Sequence, residues 1–211
     1  MNFAAMEIFL PQRQMKLKIF LAIFLLFFFV PGKSFADMPE ISAGKTYPYL
    51  LKGYYVLQDN VHVVTKNHGV SLTVDANEAR VNIFSQRCWA TGNVRLIYDK
   101  ISFGCNDAFL EWKSKSANVV GKVKFSNAES VDVTADGAIF DWSEKIVDFY
   151  GKVKVVAGKN LNKDKDFKFS GEKFSHVKYS VAENKILEVS KNPADVKEIV
   201  IPKDPDSEKG K

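Results

Sequence analysis

The sequence predicts an all-β protein: a twisted, solenoid-like slab, or β-jellyroll, of repeated short antiparallel strands that is open at both ends. The first observation is a repeat, because Gly92, Gly121 and Gly151 recur at intervals of 29 and 30 residues in similar surroundings. The second is the alternation of apolar and polar residues within each copy, which is the period of a strand with one buried face. The third is a composition of 46% hydrophobic residues with 17 Phe, typical of a chain that builds a core.

The first 36 residues predict a secretory signal peptide that is cleaved after Ala36. Lys16 and Lys18 form its positive region, residues 19–30 its apolar stretch, and residues 34–36 a small-x-small cleavage site. Twelve residues rise only about 18 Å as a helix, whereas a bilayer core is about 30 Å thick, so an uncleaved membrane anchor is the weaker alternative. Met15 directly precedes the positive region, so residues 1–14 could lie upstream of the true start.

Charge and cysteine content exclude two classes of protein. The chain has 30 Lys+Arg and 25 Asp+Glu, and residues 1–36 hold four and one of these, which leaves a net charge of +2 for the exported part. A nucleic-acid partner is not expected, because that function needs basic residues gathered on one face. Export allows Cys88 and Cys105 to form a disulfide without requiring it, and their spacing matches no zinc motif. No metal and no cofactor is predicted.

The three copies agree at ten offsets from their glycines, and every residue at those offsets is apolar or small. Valine follows each glycine by two residues, and alanine precedes it by thirteen. Charged and amide side chains such as Arg95, Lys124 and Lys154 occupy positions between them. The large residues predicted to face the interior are Ile83, Leu96, Phe103, Trp112, Phe125, Val133, Phe140, Trp142, Phe149 and Val155.

Each copy is predicted to contain strands of three to five residues, separated by polar turns such as "SQR", "KSKS" and "SEK". Counted from the glycine of each copy, the positions of the inward residues change from even to odd numbers and back to even. A strand changes faces only at a turn, a bulge or a bend, so the two changes predict corners. The glycine lies between two inward residues, which favours a bend at that position over an ordinary loop glycine.

Incomplete units flank the three copies, as is usual at the ends of stacked repeats. The repeat domain is predicted to span residues 37–201, followed by a disordered polar tail at 202–211. The end strands, residues 60–65 and 196–201, should offer unpaired backbone groups to another chain, although a covered edge is the alternative. The predicted edge residues are Val61, Val63, Val64, Val196, Ile199 and Ile201.

Two segments resemble the LptA/OstA family of periplasmic lipopolysaccharide-transport proteins. They are "VDVTADGAIFDWSEKIVDFYGKVKVV" and "SGEKFSHVKYSVAENKILEVSKNPADVKEIVIP", and the family pattern also matches residues 105–112 with 121–125. The resemblance implies a twisted β-jellyroll whose interior residues shield the acyl chains of lipid A. It also implies head-to-tail oligomers in the periplasm that bridge an LptC-like inner-membrane protein and an LptD-like outer-membrane protein.

Two other functions compete with this interpretation. A membrane-anchored, LptC-like component would retain the first 36 residues, and a β-repeat protein could bind or cleave polysaccharide in a surface cleft. Enzymatic activity is not predicted, because His62, His68 and His176 match no ligand spacing and neither G-x-S-x-G nor a P-loop occurs. Plain core packing is the alternative to lipid contact at each interior position.

Overall fold

The computed structural model of the protein describes residues 40–67, 70–128, 130–162 and 173–204. The chain divides into two compact units, residues 1–36 and 37–211, and the fold described here is that of the second. The predicted signal peptide lies outside the described residues. Among the residues that are described, no helix has the length and apolar character needed to cross a membrane.

In the part of the chain that the structure describes, eleven strands form one antiparallel sheet, which confirms the all-β prediction. Short 3-10 turns occur at Leu50–Lys52 and Pro193–Asp195. In chain order the strands are β1 (Glu40–Ser42), β2 (Lys45–Tyr49), β3 (Tyr54–Asn67), β4 (Val70–Asn82), β5 (Arg87–Tyr98), β6 (Ile101–Glu111), β7 (Ser116–Asn127), β8 (Val131–Asp141), β9 (Ile146–Ala157), β10 (Lys173–Ser180) and β11 (Lys185–Ser190).

The sheet is a meander, because each strand from β3 to β11 pairs with its neighbours in sequence. Both β1 and β2 pair with β3, which they cover along different halves: β1 lies opposite His62–Val64 and β2 opposite Tyr54–Gln58. The order ends at β1 and β2 on one side and at β11 on the other, and the sheet does not close on itself. The predicted open ends are therefore present.

The strands are longer than predicted: β3 to β9 each run for 11 to 14 residues. Of the two predicted changes of face, one is the hairpin turn between strands. The other is a shift of register within the strands, for example between Asp75 and Glu78 of β4, which lies opposite Thr91 and Val94 of β5. Pairing resumes on both sides of that shift, so the strand bends without ending. We call this position in each strand the corner.

Left-handed backbone conformation produces the corner. Gly121 has φ +78° and is followed by Lys122 at φ 54°, and the other copies show the same pair of positive values. A Cβ built on Gly121 would lie 2.7 Å from Asn106 Nδ2, so the neighbouring strand also leaves no room for a side chain. The predicted bend is confirmed. The corresponding pairs are Asp59–Asn60, Gly92–Asn93 and Gly151–Lys152.

The corners fold the sheet into two half-sheets that face each other. Half-sheet A comprises residues 61–67, 70–76, 94–98, 101–105, 123–127, 131–135 and 153–157, with β1. Half-sheet B comprises residues 54–58, 78–82, 87–91, 107–111, 116–120, 137–141, 146–150 and 176–180, with β2 and β11. The rings of Phe103 in β6 and Phe140 in β8 are 5.5 Å apart although β6 and β8 are not paired, which shows that the half-sheets pack face to face.

The two predicted edge strands are not the edges. Val61 and Val63 are buried, and Val64 pairs with Glu40, because β1 and β2 cover β3. Residues 196–201 form no strand at all. The prediction placed Val61, Val63, Val64, Val196, Ile199 and Ile201 on edges, and the strands that do lie at the ends are β1, β2 and β11.

Residues 196–204 instead form a segment, the strap, that crosses the outer face of half-sheet B. Ile199 packs on Gly137, where a built Cβ would lie 3.0 Å from the Cδ1 atom of the isoleucine. Trp89 Nε1 donates to the carbonyl of Pro202 over 2.8 Å, and Arg80 forms a 2.8 Å ion pair with Asp204. The predicted disordered tail therefore begins with contacts, and residues 205–211 lie outside the described residues.

Candidate functional site

The interior between the half-sheets is filled by a connected row of aromatic rings. Phe125 is in contact with Phe103 at 4.9 Å, with Phe149 at 5.2 Å and with Tyr179 at 5.7 Å between ring centroids. Phe103 continues the row to Phe140. Since these rings come from strands β6 to β10, the apolar interior extends across several repeats.

All ten predicted interior residues belong to this core or pack against it. Eight are buried, and Ile83 and Trp112 are half-buried at hairpin turns of half-sheet B. The two half-sheets touch, so the interior is packed in this structure. Lipid contact stays a prediction for Ile83, Leu96, Phe103, Trp112, Phe125, Val133, Phe140, Trp142, Phe149 and Val155.

The half-sheets meet again along a line opposite the corners, which we call the seam. Trp112 Nε1 of half-sheet B donates to Thr65 Oγ1 of half-sheet A over 3.3 Å. Further along, Tyr98 of half-sheet A packs edge-on against Phe140 at 5.4 Å. Side chains make these contacts, whereas backbone hydrogen bonds hold the strands within each half-sheet.

The seam is tied most firmly at its C-terminal end. Asn127 Nδ2 donates to Tyr179 Oη over 2.6 Å, and that hydroxyl donates to Asn184 Oδ1 over 2.5 Å. Burial raises the pKa of Tyr179, which keeps this hydroxyl protonated as a donor. The backbone N–H of Asn162 also donates to the carbonyl of Asn184 over 2.9 Å. Widening of the seam would therefore start from the Trp112 end.

Trp112 and Phe140 of the seam were predicted as interior residues, whereas the polar residues that close it were not predicted from the sequence. Thr65, Asn127 and Tyr179 are polar at least in part, and each occurs in one copy of the repeat, so comparison of the copies does not select them. The structure identifies them by their burial, which the sequence does not show: Thr65 and Asn127 are among the few buried polar residues described. Such residues need partners, and here they find them across the seam.

Cys88 and Cys105 are free, buried thiols. Cys88 lies opposite Leu110 in half-sheet B and Cys105 opposite Val94 in half-sheet A, so the register separates the two thiols by a corner. Burial raises the pKa of each to about 12, from an ordinary value of about 9. They act as small core residues, and other copies of the repeat have alanine at the same offsets.

Stability should fall at high pH because of these thiols. Their folded pKa is raised, so their contribution is complete below pH 9 and is lost as the pH rises toward 12. We expect the free energy of unfolding to fall by about 1.4 kcal/mol per pH unit for each thiol over that range. Urea titrations at pH 8 to 10.5 should show a shallower fall for Cys88→Ala/Cys105→Ala. Identical slopes for the double variant and the parent would contradict this.

Histidines and carboxylates form pairs on the outer faces. His62 Nδ1 lies 2.6 Å from Asp75 Oδ1, and His176 Nε2 lies 2.9 Å from Asp148 Oδ1. The ring of Tyr150 stacks on His176 at 4.7 Å. His68 lies outside the described residues. In the part of the chain that is described, no three His, Cys, Asp or Glu residues come together as a metal site would require.

Comparison with known proteins gives a likeness at the level of structure. No family model matches the sequence, and no curated protein matches it either. The chain is similar to the solved structure of LptH, described as the LptA homologous periplasmic component of the conserved lipopolysaccharide transport device from Pseudomonas aeruginosa. The TM-score is 0.48 at 10% sequence identity, over 62% of this chain and 92% of that one.

Proposed function

We propose that this protein is a periplasmic lipopolysaccharide-binding bridge that takes up the acyl chains of lipid A between its half-sheets. The observation that carries the proposal is the aromatic interior, which runs through several repeats and is bounded on one side by the seam. Side-chain contacts close most of the seam, and the backbone hydrogen bond from Asn162 to Asn184 lies at its C-terminal end. The resemblance of the sequence to the LptA/OstA family supports the same function. The protein would convey lipopolysaccharide from the inner to the outer membrane.

The physical chemistry of acyl chains explains why such an interior is useful. Each methylene that moves from an apolar site into water costs about 0.8 kcal/mol, so a lipid with several acyl chains does not cross an aqueous space alone. Opening the seam breaks ring contacts and the Trp112–Thr65 hydrogen bond while the backbone ladders stay intact. Acyl chains would replace the lost ring contacts, so the net cost of opening is small. The protein needs no chemistry of its own for this.

The two ends of the sheet support a bridging role. β1 and β2 expose their outer edge at one end, and β11 exposes Leu187 at the other. Unpaired strand edges accept a strand from another chain. We infer head-to-tail oligomers through these ends, with an LptC-like inner-membrane protein and an LptD-like outer-membrane protein as the terminal partners.

Photo-crosslinking tests the lipid site. A diazirine analogue of leucine replaces Leu96, which is 2% exposed in the interior, and in a control variant replaces Leu51, which is fully exposed. With purified lipopolysaccharide we expect a covalent adduct from position 96 and none from position 51, detected as a mass shift on gels. Equal labelling at both positions, or no adduct at position 96 with saturating lipid, would exclude the interior as the site.

Competition in the same assay separates lipid from polysaccharide binding. Unlabelled lipid A should suppress the adduct at Leu96, because its acyl chains occupy the same interior. The deacylated saccharide should leave the adduct unchanged. Suppression by the deacylated saccharide would instead favour the polysaccharide-binding alternative.

Analytical ultracentrifugation tests the end-to-end contact. Leu187 is 41% exposed on the end strand β11, so Leu187→Lys puts a charge on that edge without disturbing the core. We expect the sedimentation coefficient of the parent to rise with protein concentration and that of Leu187→Lys to stay constant. Val200→Lys on the strap, at a side chain that is 63% exposed, serves as the control and should behave like the parent. Oligomers that persist in Leu187→Lys would rule out β11 as the contact.

A further inference from the structure

A row of basic side chains crosses the outer face of half-sheet A. Strand pairing places one residue of each strand from β4 to β10 in line, and no acidic residue interrupts the line after its first member. Arg95, Lys124 and Lys154 come from alternate strands, so about 10 Å separates each from the next. In order the row is Asp75, Arg95, Gly104, Lys124, Thr134, Lys154 and Lys173.

These cations are exposed and are not neutralised by neighbours. Asp75 is already bonded to His62. Among the described residues, Arg95, Lys124, Lys154 and Lys173 form no ion pair. Between β5 and β10 the outward strand positions of this face carry four basic residues and one acidic one, namely Arg95, Lys124, Lys154 and Lys173 against Asp132. Lys122, Lys152 and Asp136 lie at the corners.

The outer face of half-sheet B has the opposite character. Two of its basic residues are used in ion pairs, Arg80 with Asp204 of the strap and Arg87 with Glu111. The strap covers part of this face. Its acidic residues are Glu78, Asp107, Glu111, Asp141, Asp148 and Glu188. Lys178 lies on this face too, beside Asp148. The domain therefore presents one cationic face and one face of mixed but mainly acidic charge, although the net charge of the exported part is close to zero.

A depression lies at the centre of the basic row. Gly104 has no side chain there, and a Cβ built on it would have no neighbour within 4 Å. Arg95 and Lys124 flank the depression on either side. The polar residues that line it with them are Ser102, Ser126, Asp132 and Thr134. Two cations with the Ser102 hydroxyl on the strand between them match the oxygens of a phosphate group, and the Asp132 carboxylate lies one strand beyond Lys124.

We infer that the outer face of half-sheet A docks on an anionic phospholipid surface, with a lipid phosphate in the Gly104 depression. A cationic face gains about 1 kcal/mol for each basic residue held near such a surface. Val156, 54% exposed, and the half-buried Ile97 lie beside the basic residues, and this mixture suits the bilayer interface. The described outward residues of this face include no aromatic side chain on which nucleic-acid bases could stack. The inference is independent of lipid uptake by the interior.

Vesicle flotation tests the docking. The exported part of the chain is mixed with vesicles of phosphatidylcholine that do or do not contain 30% phosphatidylglycerol, all free of lipopolysaccharide. Lys124→Gln/Lys154→Gln removes two charges from the row. Lys113→Gln/Lys145→Gln removes two from exposed hairpin turns and is the matched control. We expect the partition coefficient on anionic vesicles to fall about 25-fold for the first variant, which is about 5-fold per residue, and less than 2-fold for the control.

Further measurements in the same assay distinguish an anionic bilayer from DNA and from free phosphate as the ligand of this face. Binding should vanish on pure phosphatidylcholine vesicles and at 0.5 M NaCl, and both results support docking. Equal losses for the two variants would show that net charge alone is responsible and would overturn the inference. Tighter binding to a DNA duplex than to anionic vesicles would overturn it too, in favour of a nucleic-acid surface. Complete displacement from vesicles by millimolar inorganic phosphate would reduce the face to a site for the free anion.

Discussion

Phe125→Ala is expected to lower the free energy of unfolding by about 3–5 kcal/mol, the largest loss at any single interior position. Phe125 is 2% exposed and lies between Phe103, Phe149 and Tyr179, which come from both half-sheets. Removing its ring leaves a cavity that neither half-sheet can fill, because backbone ladders hold the strands on both sides. Urea denaturation followed by circular dichroism measures the loss.

Phe84→Ala is the matched control for this substitution. Phe84 is 67% exposed at a hairpin turn, so truncation there should change the free energy of unfolding by less than about 0.5 kcal/mol. A loss below about 1 kcal/mol for Phe125→Ala would mean that the interior is loosely packed. The description of the aromatic row as the core of the domain would then be wrong.

Gly121→Val is expected to lower the free energy of unfolding by about 2–4 kcal/mol. Two costs combine: a β-branched residue is strained at φ +78°, and its Cβ would lie 2.7 Å from Asn106 Nδ2. Relieving either the backbone strain or the close contact requires a different backbone conformation at the corner, which would alter how the half-sheets pack on each other. Chemical denaturation gives the magnitude, and near-ultraviolet circular dichroism of the aromatic residues reports any change in their packing.

Gly104→Val makes the same substitution in the preceding strand. It shows whether the effect of Gly121→Val comes from the geometry of the corner or from the loss of any glycine. Gly104 does not have a positive φ, and a side chain there would meet open space. Valine favours strands over glycine, so this variant should be as stable as the parent or more stable by up to about 1 kcal/mol. Equal destabilisation by the two substitutions would contradict the corner geometry.

The sequence was sufficient to predict the interior and the corners, because both repeat. Ten offsets occupied by apolar or small residues in three copies identify the buried face. The change of offset parity, for example between Ala76 and Ala79, and a glycine flanked by inward residues two positions away identify the bend. The lengths of the strands were wrong because parity reports a change of face and does not reveal whether pairing continues through it. The register shift at Thr91 and Val94 shows that it does.

The ends and the strap could not be predicted by the same reasoning. β1 and β2 have three and five residues, too few to show a period, so β3 looked like an end strand. The stretch "VKEIVI" is rich in apolar, β-branched residues, as strands are, but Ile199 packs on Gly137 and the segment crosses several strands without pairing. Only the three-dimensional structure shows that apolar residues of the strap pack on the outer face of half-sheet B.

The candidate site was predicted in part. Alternation identified which rings face inward, whereas contacts across the seam join residues such as Thr65 and Trp112 that are 47 positions apart. The basic row was also not predicted. Arg95, Lys124 and Lys154 were identified as outward residues, but the small net charge gave no indication that they lie on one face.

The meander has a consequence for how the chain acquires its structure. Nearly all pairing joins consecutive hairpins, so a domain of this topology can form progressively from its N-terminal end, each new hairpin annealing to an edge that already exists. The strap is the exception: its bonds to Trp89 and Arg80 span 113 and 124 positions and require several finished strands beneath it. We therefore expect the strap to dock last during folding, and the fluorescence of Trp89 would report when it has docked.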